Sequence, residues 1–107
     1  MKIPSKIKIA GIDFTVGTKP ISDPDNHGGL DIRKNYIYIN PDACSVQRKL
    51  SLLHEVLHIF CVYTGAIHVL QIDDTREEAL VRMFEPFLYS FIKDNPKLIK
   101  AIMESYS

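Results

Sequence analysis

The chain has 107 residues, 46% of them hydrophobic and 24% charged, with 13 Lys plus Arg balanced by 13 Asp plus Glu. That size and mix fit one globular domain spanning 1–107 and exclude a disordered or fibrous chain. Zero formal charge argues against nucleic acid as a partner, which calls for a basic excess or stripe. Lys2, Lys6 and Lys8 therefore read as solvated strand positions.

Residues 6–17, KIKIAGIDFTVG, alternate apolar and polar on either side of Ala10-Gly11, which predicts a hairpin. The stretch 18–29, TKPISDPDNHGG, reads as a loop. A second hairpin is expected from Leu30 and Ile32 through a turn at Arg33-Lys34-Asn35 to Tyr36–Ile39, a strand suited to a half-buried surface. Asn40-Pro41-Asp42 reads as a helix start, with the helix running from about Ala43 to Tyr63 and stopping at Thr64-Gly65. A connector with a short strand at Ile67–Ile72 follows. A second helix is expected from Asp74-Thr75 to about Lys93, kinked at Pro86, then a short helix capped at Asn95-Pro96 and ending near Glu104.

Strands first and helices after imply an α+β fold. Its N-terminal hairpins would form a small antiparallel sheet packed on the first, central helix. No stretch is long and apolar enough for a membrane span, and MKIPSKIKIAG lacks the apolar core of a signal peptide. A cytoplasmic location with no membrane partner is therefore expected. Cys44 and Cys61 match no metal or redox spacing, and Cys61 reads as a buried, reduced thiol.

Chemistry concentrates at residues 54–58, His-Glu-Val-Leu-His. On a helix, positions i and i+4 share a face, so the imidazoles of His54 and His58 can converge on one tetrahedral Zn²⁺. Glu55, rotated aside, suits the role of general base toward a water that the metal acidifies. The run LLHEVLHIFCV around the motif is apolar apart from these three residues. It therefore reads as a buried helix, in which unpaired polar groups would be costly.

A catalytic zinc needs a third protein ligand. Cys61 and Thr64 stand where the metzincin extension has glycine and histidine, which leaves Glu77, Glu78, His68, Asp73, Asp74 and Glu85. Helical periodicity slightly favours Glu77, which falls on the face made by Leu80, Val81, Phe84, Leu88 and Phe91. Thr75-Arg76-Glu77-Glu78 also reads as a capping box, in which Glu78 would only reach back to the Thr75 N–H.

The opening MKIPSKIKIAGIDFTV, the hairpin GGLDIRKNYIYI, LLHEVLHIF and the later EEALVRMFEPFLYSFIKDNP resemble the small phage- and prophage-encoded HExxH proteins related to ImmA/IrrE-type metallopeptidases. The resemblance implies a minimal zincin-like domain and a gluzincin-like zinc site, with the third ligand a glutamate early in the second helix. The matching stretch Glu78-Ala79-Leu80-Val81 favours Glu78. Glu85-Pro86-Phe87 departs from the small residues usual there. The resemblance also implies a phage or mobile-element origin, action in the cytoplasm of a bacterial host, and a repressor or regulator as protein substrate.

Tyr63, His68, Tyr89 and His27 are candidates to polarise the substrate carbonyl, and Tyr36–Ile39 is a candidate sheet edge for an extended peptide. Two functions follow from this reading. One is zinc-dependent hydrolysis of a peptide bond in a protein substrate, with Glu55 as general base. The other is a catalytically weak, zinc-stabilised protein-binding or regulatory module. A plain structural domain, whose histidines bind nothing, is the third possibility.

Overall fold

In the computed structural model, which describes residues 3–21 and 27–104, the expected first hairpin forms from β1 (Lys6–Ile9) and β2 (Ile12–Thr18). Ile9 pairs directly with Ile12, so the turn has two residues. Ala10 and Gly11 both take positive φ, 50° and 81°, the mirror-image turn that matches strand twist. The second pair is β3 (Gly28–Asp31) and β4 (Tyr36–Ile39). A short 3₁₀ turn at Ile32–Lys34 joins them, capped by the Asp31 carboxylate and closed by Asn35 in the left-handed region. Residues 22–26, the centre of the expected loop, lie outside the described residues, as does Lys2.

The two hairpins do not make an antiparallel sheet. The strand order is β1-β2-β4-β3, and β2 runs parallel to β4, so the sheet is mixed. Reading consecutive strands as neighbours misses this, because β4 inserts between β2 and β3. The physical reason lies in composition. YIYI carries bulk on both faces and suits an interior position, whereas Gly28 and Gly29 offer little to bury and suit an edge. Ile37 and Ile39 join Phe14 and Val16 on the inner face. Tyr36 and Tyr38 stack on the outer face, 6.4 Å apart, over Gly17 and Gly29 respectively.

Helix α1 (Ser45–Thr64) begins later than expected. Asn40 is buried, and its side-chain oxygen accepts from the Asp42 N–H at 3.1 Å while its carbonyl accepts from Ala43. Asn40–Ala43 is thus a turn with Pro41 inside it, not the first turn of the helix. At the other end Gly65, with φ 66°, returns its N–H to Cys61 and Val62 carbonyls, the expected left-handed stop. The expected short strand after it is instead a helix, α2 (Ala66–Leu70). Gly65 starts it by accepting from the His68 and Val69 N–H groups.

Helix α3 (Asp74–Asp94) runs through Pro86 without interruption, and α4 (Pro96–Glu104) follows. Asn95 does not cap α4 with its side chain; its amide donates back to the Phe91 carbonyl at 2.9 Å.

Helix α1 lies between the sheet and α3. Leu52, Val56 and Ile59, spaced i, i+4, i+7, pack on Phe14, Ile37 and Ile39. Each fully buried side chain of this set contributes about 1.5–3 kcal/mol. On the opposite side Leu57 and Cys61 meet Ala66 and Val81. The expectation that α1 is buried all round fails at its C-terminal end, where Phe60 and Val62 are exposed, because no element among the described residues covers that face. Both cysteines are free, with Cys44 exposed and Cys61 buried. Among the described residues no helix is long and apolar enough to cross a membrane.

Candidate metal centre

The α1–α3 packing brings His54 and His58 against the stretch of α3 from Glu77 to Glu85. The N-cap of α3 is Asp73, whose carboxylate accepts from the Arg76 N–H at 2.8 Å. Thr75 is therefore inside the helix, and Glu78 is released from the capping role that the sequence offered it. The Glu78 carboxylate lies between the two imidazoles. Its Oε1 is 2.8 Å from His54 Nε2 and its Oε2 is 3.0 Å from His58 Nε2.

The other ring nitrogens are also held. His54 Nδ1 is 2.7 Å from Glu85 and His58 Nδ1 is 2.8 Å from Glu77. The rings sit 4.9 Å apart at 63°. Glu77 and Glu78 therefore do different things. The buried Glu77 grips the back of His58, and the half-buried Glu78 faces the front of both rings. Of the remaining candidates, Glu85 grips the back of His54, Asp73 caps α3, Asp74 lies exposed in its first turn, and His68 is exposed on α2.

This is the donor set a divalent ion needs. One ligand atom each from His54, His58 and Glu78 falls within 4.8 Å of the others, a spread that a small side-chain adjustment closes around an ion bound at roughly 2.0–2.2 Å. Carboxylates on both Nδ1 atoms favour a proton there, as the partners of ligating histidines do, and make Nε2 the nitrogen available to an ion that displaces its proton. Two imidazoles and a carboxylate match zinc chemistry, with other divalent ions that suit imidazole next.

The electrostatics agree. Burial works to lower the His58 pKa, but the Glu77 hydrogen bond and the Glu78 charge outweigh it and hold the imidazole above its ordinary value. Burial works to raise Glu78, and the two histidines and Arg82 together bring it below the usual carboxylate range. Arg82 reaches Glu78 Oε1 with its Nε at 3.3 Å. A cation held by both Nε2 atoms would take the place of the protons that the Glu78 carboxylate holds there.

Glu55 is buried, and desolvation pushes its pKa up against the lowering effect of His54 and His58. It lines a cleft of about 230 Å³ together with His54, Glu85, Arg82, Ser51 and His27. Burial makes this carboxylate a stronger base than an exposed one, the property a general base needs.

Among the carbonyl-polarising candidates, His27 reaches this cleft. Tyr63 instead packs edge-on against Phe14 at 6.5 Å, and Tyr89 does not line the cleft. The strand Tyr36–Ile39 is interior and cannot be the substrate edge. The edge strand beside α1 is β3, where Gly28 packs against Ser51 at the cleft.

Sequence reasoning missed the gripping roles of Glu77 and Glu85 and the contact of Arg82 with Glu78. The i, i+4 spacing of Glu78 and Arg82 was the only available signal for the last. Comparison of the chain with protein-family models, curated proteins and solved structures returned no match.

Proposed function

We propose that this protein is a zinc-dependent peptidase of the gluzincin type, related to the ImmA/IrrE-like metallopeptidases, with His54, His58 and Glu78 as its ligands. The observation that carries the reading is the orientation of both histidines. Each has its Nδ1 against a carboxylate that does not face the other ring, and its Nε2 toward one shared carboxylate. Two half-buried histidines with a merely structural role need one partner each, not this common focus.

When bound, zinc supplies a Lewis acid that polarises a carbonyl and acidifies a water. The chain's own residues do the rest. Glu77 and Glu85 hold the Nδ1 protons and fix both rings. Glu55, kept basic enough by its burial, accepts the proton of the attacking water and passes it to the leaving amine. His27, which lines the same cleft, donates to the substrate carbonyl oxygen. An extended peptide lies along the β3 edge, and its main chain supplies affinity without demanding a particular sequence.

The test is zinc content by elemental analysis, with peptidase assays on the same preparations. About one zinc per chain is expected, with most of it lost in His54→Ala and Glu78→Ala. Glu55→Gln should keep the metal while lowering turnover about 10²–10⁴-fold. Wild-type protein that takes up no zinc defeats the reading. Zinc with no difference between wild type and Glu55→Gln in any biological effect favours a zinc-stabilised binding module.

A further inference from the structure

Helix α3 carries a second organised face that the metal centre does not use. Leu80, Met83, Phe84, Phe87 and Phe91 follow the spacing i, i+3, i+4, i+7, i+11, the pattern of a helix-packing seam. All five are exposed, with Met83 at 71%, Phe87 at 68% and Phe84 at 55%. A stripe of aromatic residues left in water on a small chain marks an interface.

The ends of the seam carry charge of a particular kind. Arg76 lies four residues before Leu80, and Asp94 lies three after Phe91. They are 18 residues apart, about five whole turns at roughly 3.6 residues per turn, so they share the seam's side of the helix. The midpoint of the two charges, Glu85, coincides with the middle of the apolar run. Both side chains are exposed, and neither makes an ion pair with another described residue. Each is also at the wrong end for its own helix dipole, since Arg76 is near the N-terminus and Asp94 is the last helical residue.

We infer that the α3 seam joins two copies of this chain in an antiparallel, two-fold symmetric dimer. Antiparallel packing centred on Glu85 sets Arg76 of one copy opposite Asp94 of the other, at both ends of the seam. Each charge then lies beside the partner helix's favourable terminus. The same packing lays Met83 of each copy near Phe87 of the other and covers the aromatic stripe. A seam that is its own complement under a two-fold axis selects a second copy over an unrelated protein. The zero net charge of the chain leaves no overall repulsion to overcome.

With large side chains of about 150–250 Å² each, the exposed fractions amount to roughly 500 Å² per copy, about 1,000 Å² for the pair. That is the lower end for a specific interface, so the association is sought from micromolar concentrations upward.

Sedimentation equilibrium over about 1–500 µM tests this. Wild-type protein should pass from one chain mass to two. Phe87→Glu, at an exposed position, should raise the dimer Kd by about 30-fold or more with an unchanged helical circular dichroism spectrum. Arg76→Glu and Asp94→Arg should each weaken the dimer about 5–10-fold, because two like-charge contacts replace two opposite ones. Both changes improve the fit to the helix dipole, so loss of association cannot be put down to loss of fold. The double variant should return to within about threefold of wild type, as only an antiparallel self-pair allows. Wild type that stays monomeric at every concentration overturns the inference and hands the seam to a different partner. A dimer indifferent to Phe87→Glu overturns it as well. Failure of the double variant to recover refutes the antiparallel register.

Discussion

The separation of Glu77 from Glu78 gives the sharpest check on the metal centre. Glu78 faces Nε2 of both rings, and Glu77 touches only His58 Nδ1, at 2.8 Å. Removing a ligand and removing a ligand's partner are different operations. Glu77→Gln keeps an oxygen that accepts from Nδ1–H but loses the charge that makes the imidazole a better donor. A loss of about tenfold in zinc affinity, or about 1.4 kcal/mol, is expected. Glu77→Leu leaves Nδ1–H buried without an acceptor, and the loss should approach about 100-fold, or about 2.8 kcal/mol. Glu78→Ala removes one of three protein ligands and should exceed both. Competition against a chelator of known affinity, read at one pH for all three variants, ranks them. The reverse order, with Glu78→Ala near wild type and Glu77→Leu unable to hold zinc, would show that Glu77 is the ligand and that the geometry has been misassigned.

Three further expectations follow from the same structure. In metal-free protein the folded-state pKa of His58 is raised. Its contribution to stability is therefore complete below the unfolded imidazole value of about 6.5 and is lost as pH rises through the higher folded value. Thermal melts in chelator should show apo stability declining over that window, while zinc affinity, which needs the neutral ring, climbs over it; apo stability that rises through the same window refutes the assignment. Ala10 holds φ 50° in a two-residue turn, so Ala10→Gly should stabilise the fold by about 1 kcal/mol, raising Tm by about 4 °C; a lowered Tm would mean the turn is not mirror-image. A Cβ at Gly28 would collide with the Ser51 side chain and approach the Tyr38 carbonyl to 2.9 Å. Gly28→Ala should therefore push β3 off α1 and reduce turnover more than zinc affinity, and an unchanged kcat/KM would remove β3 from the substrate path.

Much of the local structure was legible in the chain. Strand alternation, the Ala10-Gly11 turn, the Gly65 stop and the i, i+4 histidines depend on neighbours within one or two turns, where periodicity and backbone preference decide the outcome. The parallel contact of β2 with β4, the helical connector at Ala66–Leu70 and the turn at Asn40–Ala43 were not legible. The first is set by which strand can be covered on both faces, and the last by a buried Asn40 whose amide donates to the Ile21 carbonyl at 3.5 Å, 19 residues away.

The site divides along the same line. HExxH places two imidazoles and a carboxylate on one helix wherever that helix lies, so the sequence alone could nominate His54, Glu55 and His58. Which glutamate of α3 meets them depends on how α3 rotates and slides against α1. That is fixed by Val81 seating against Cys61 and Ala66, while capping by Asp73 rather than Thr75 leaves Glu78 free to take part. A rotation of α3 by one residue would exchange the carboxylate that faces the metal position, and only tertiary packing sets that rotation.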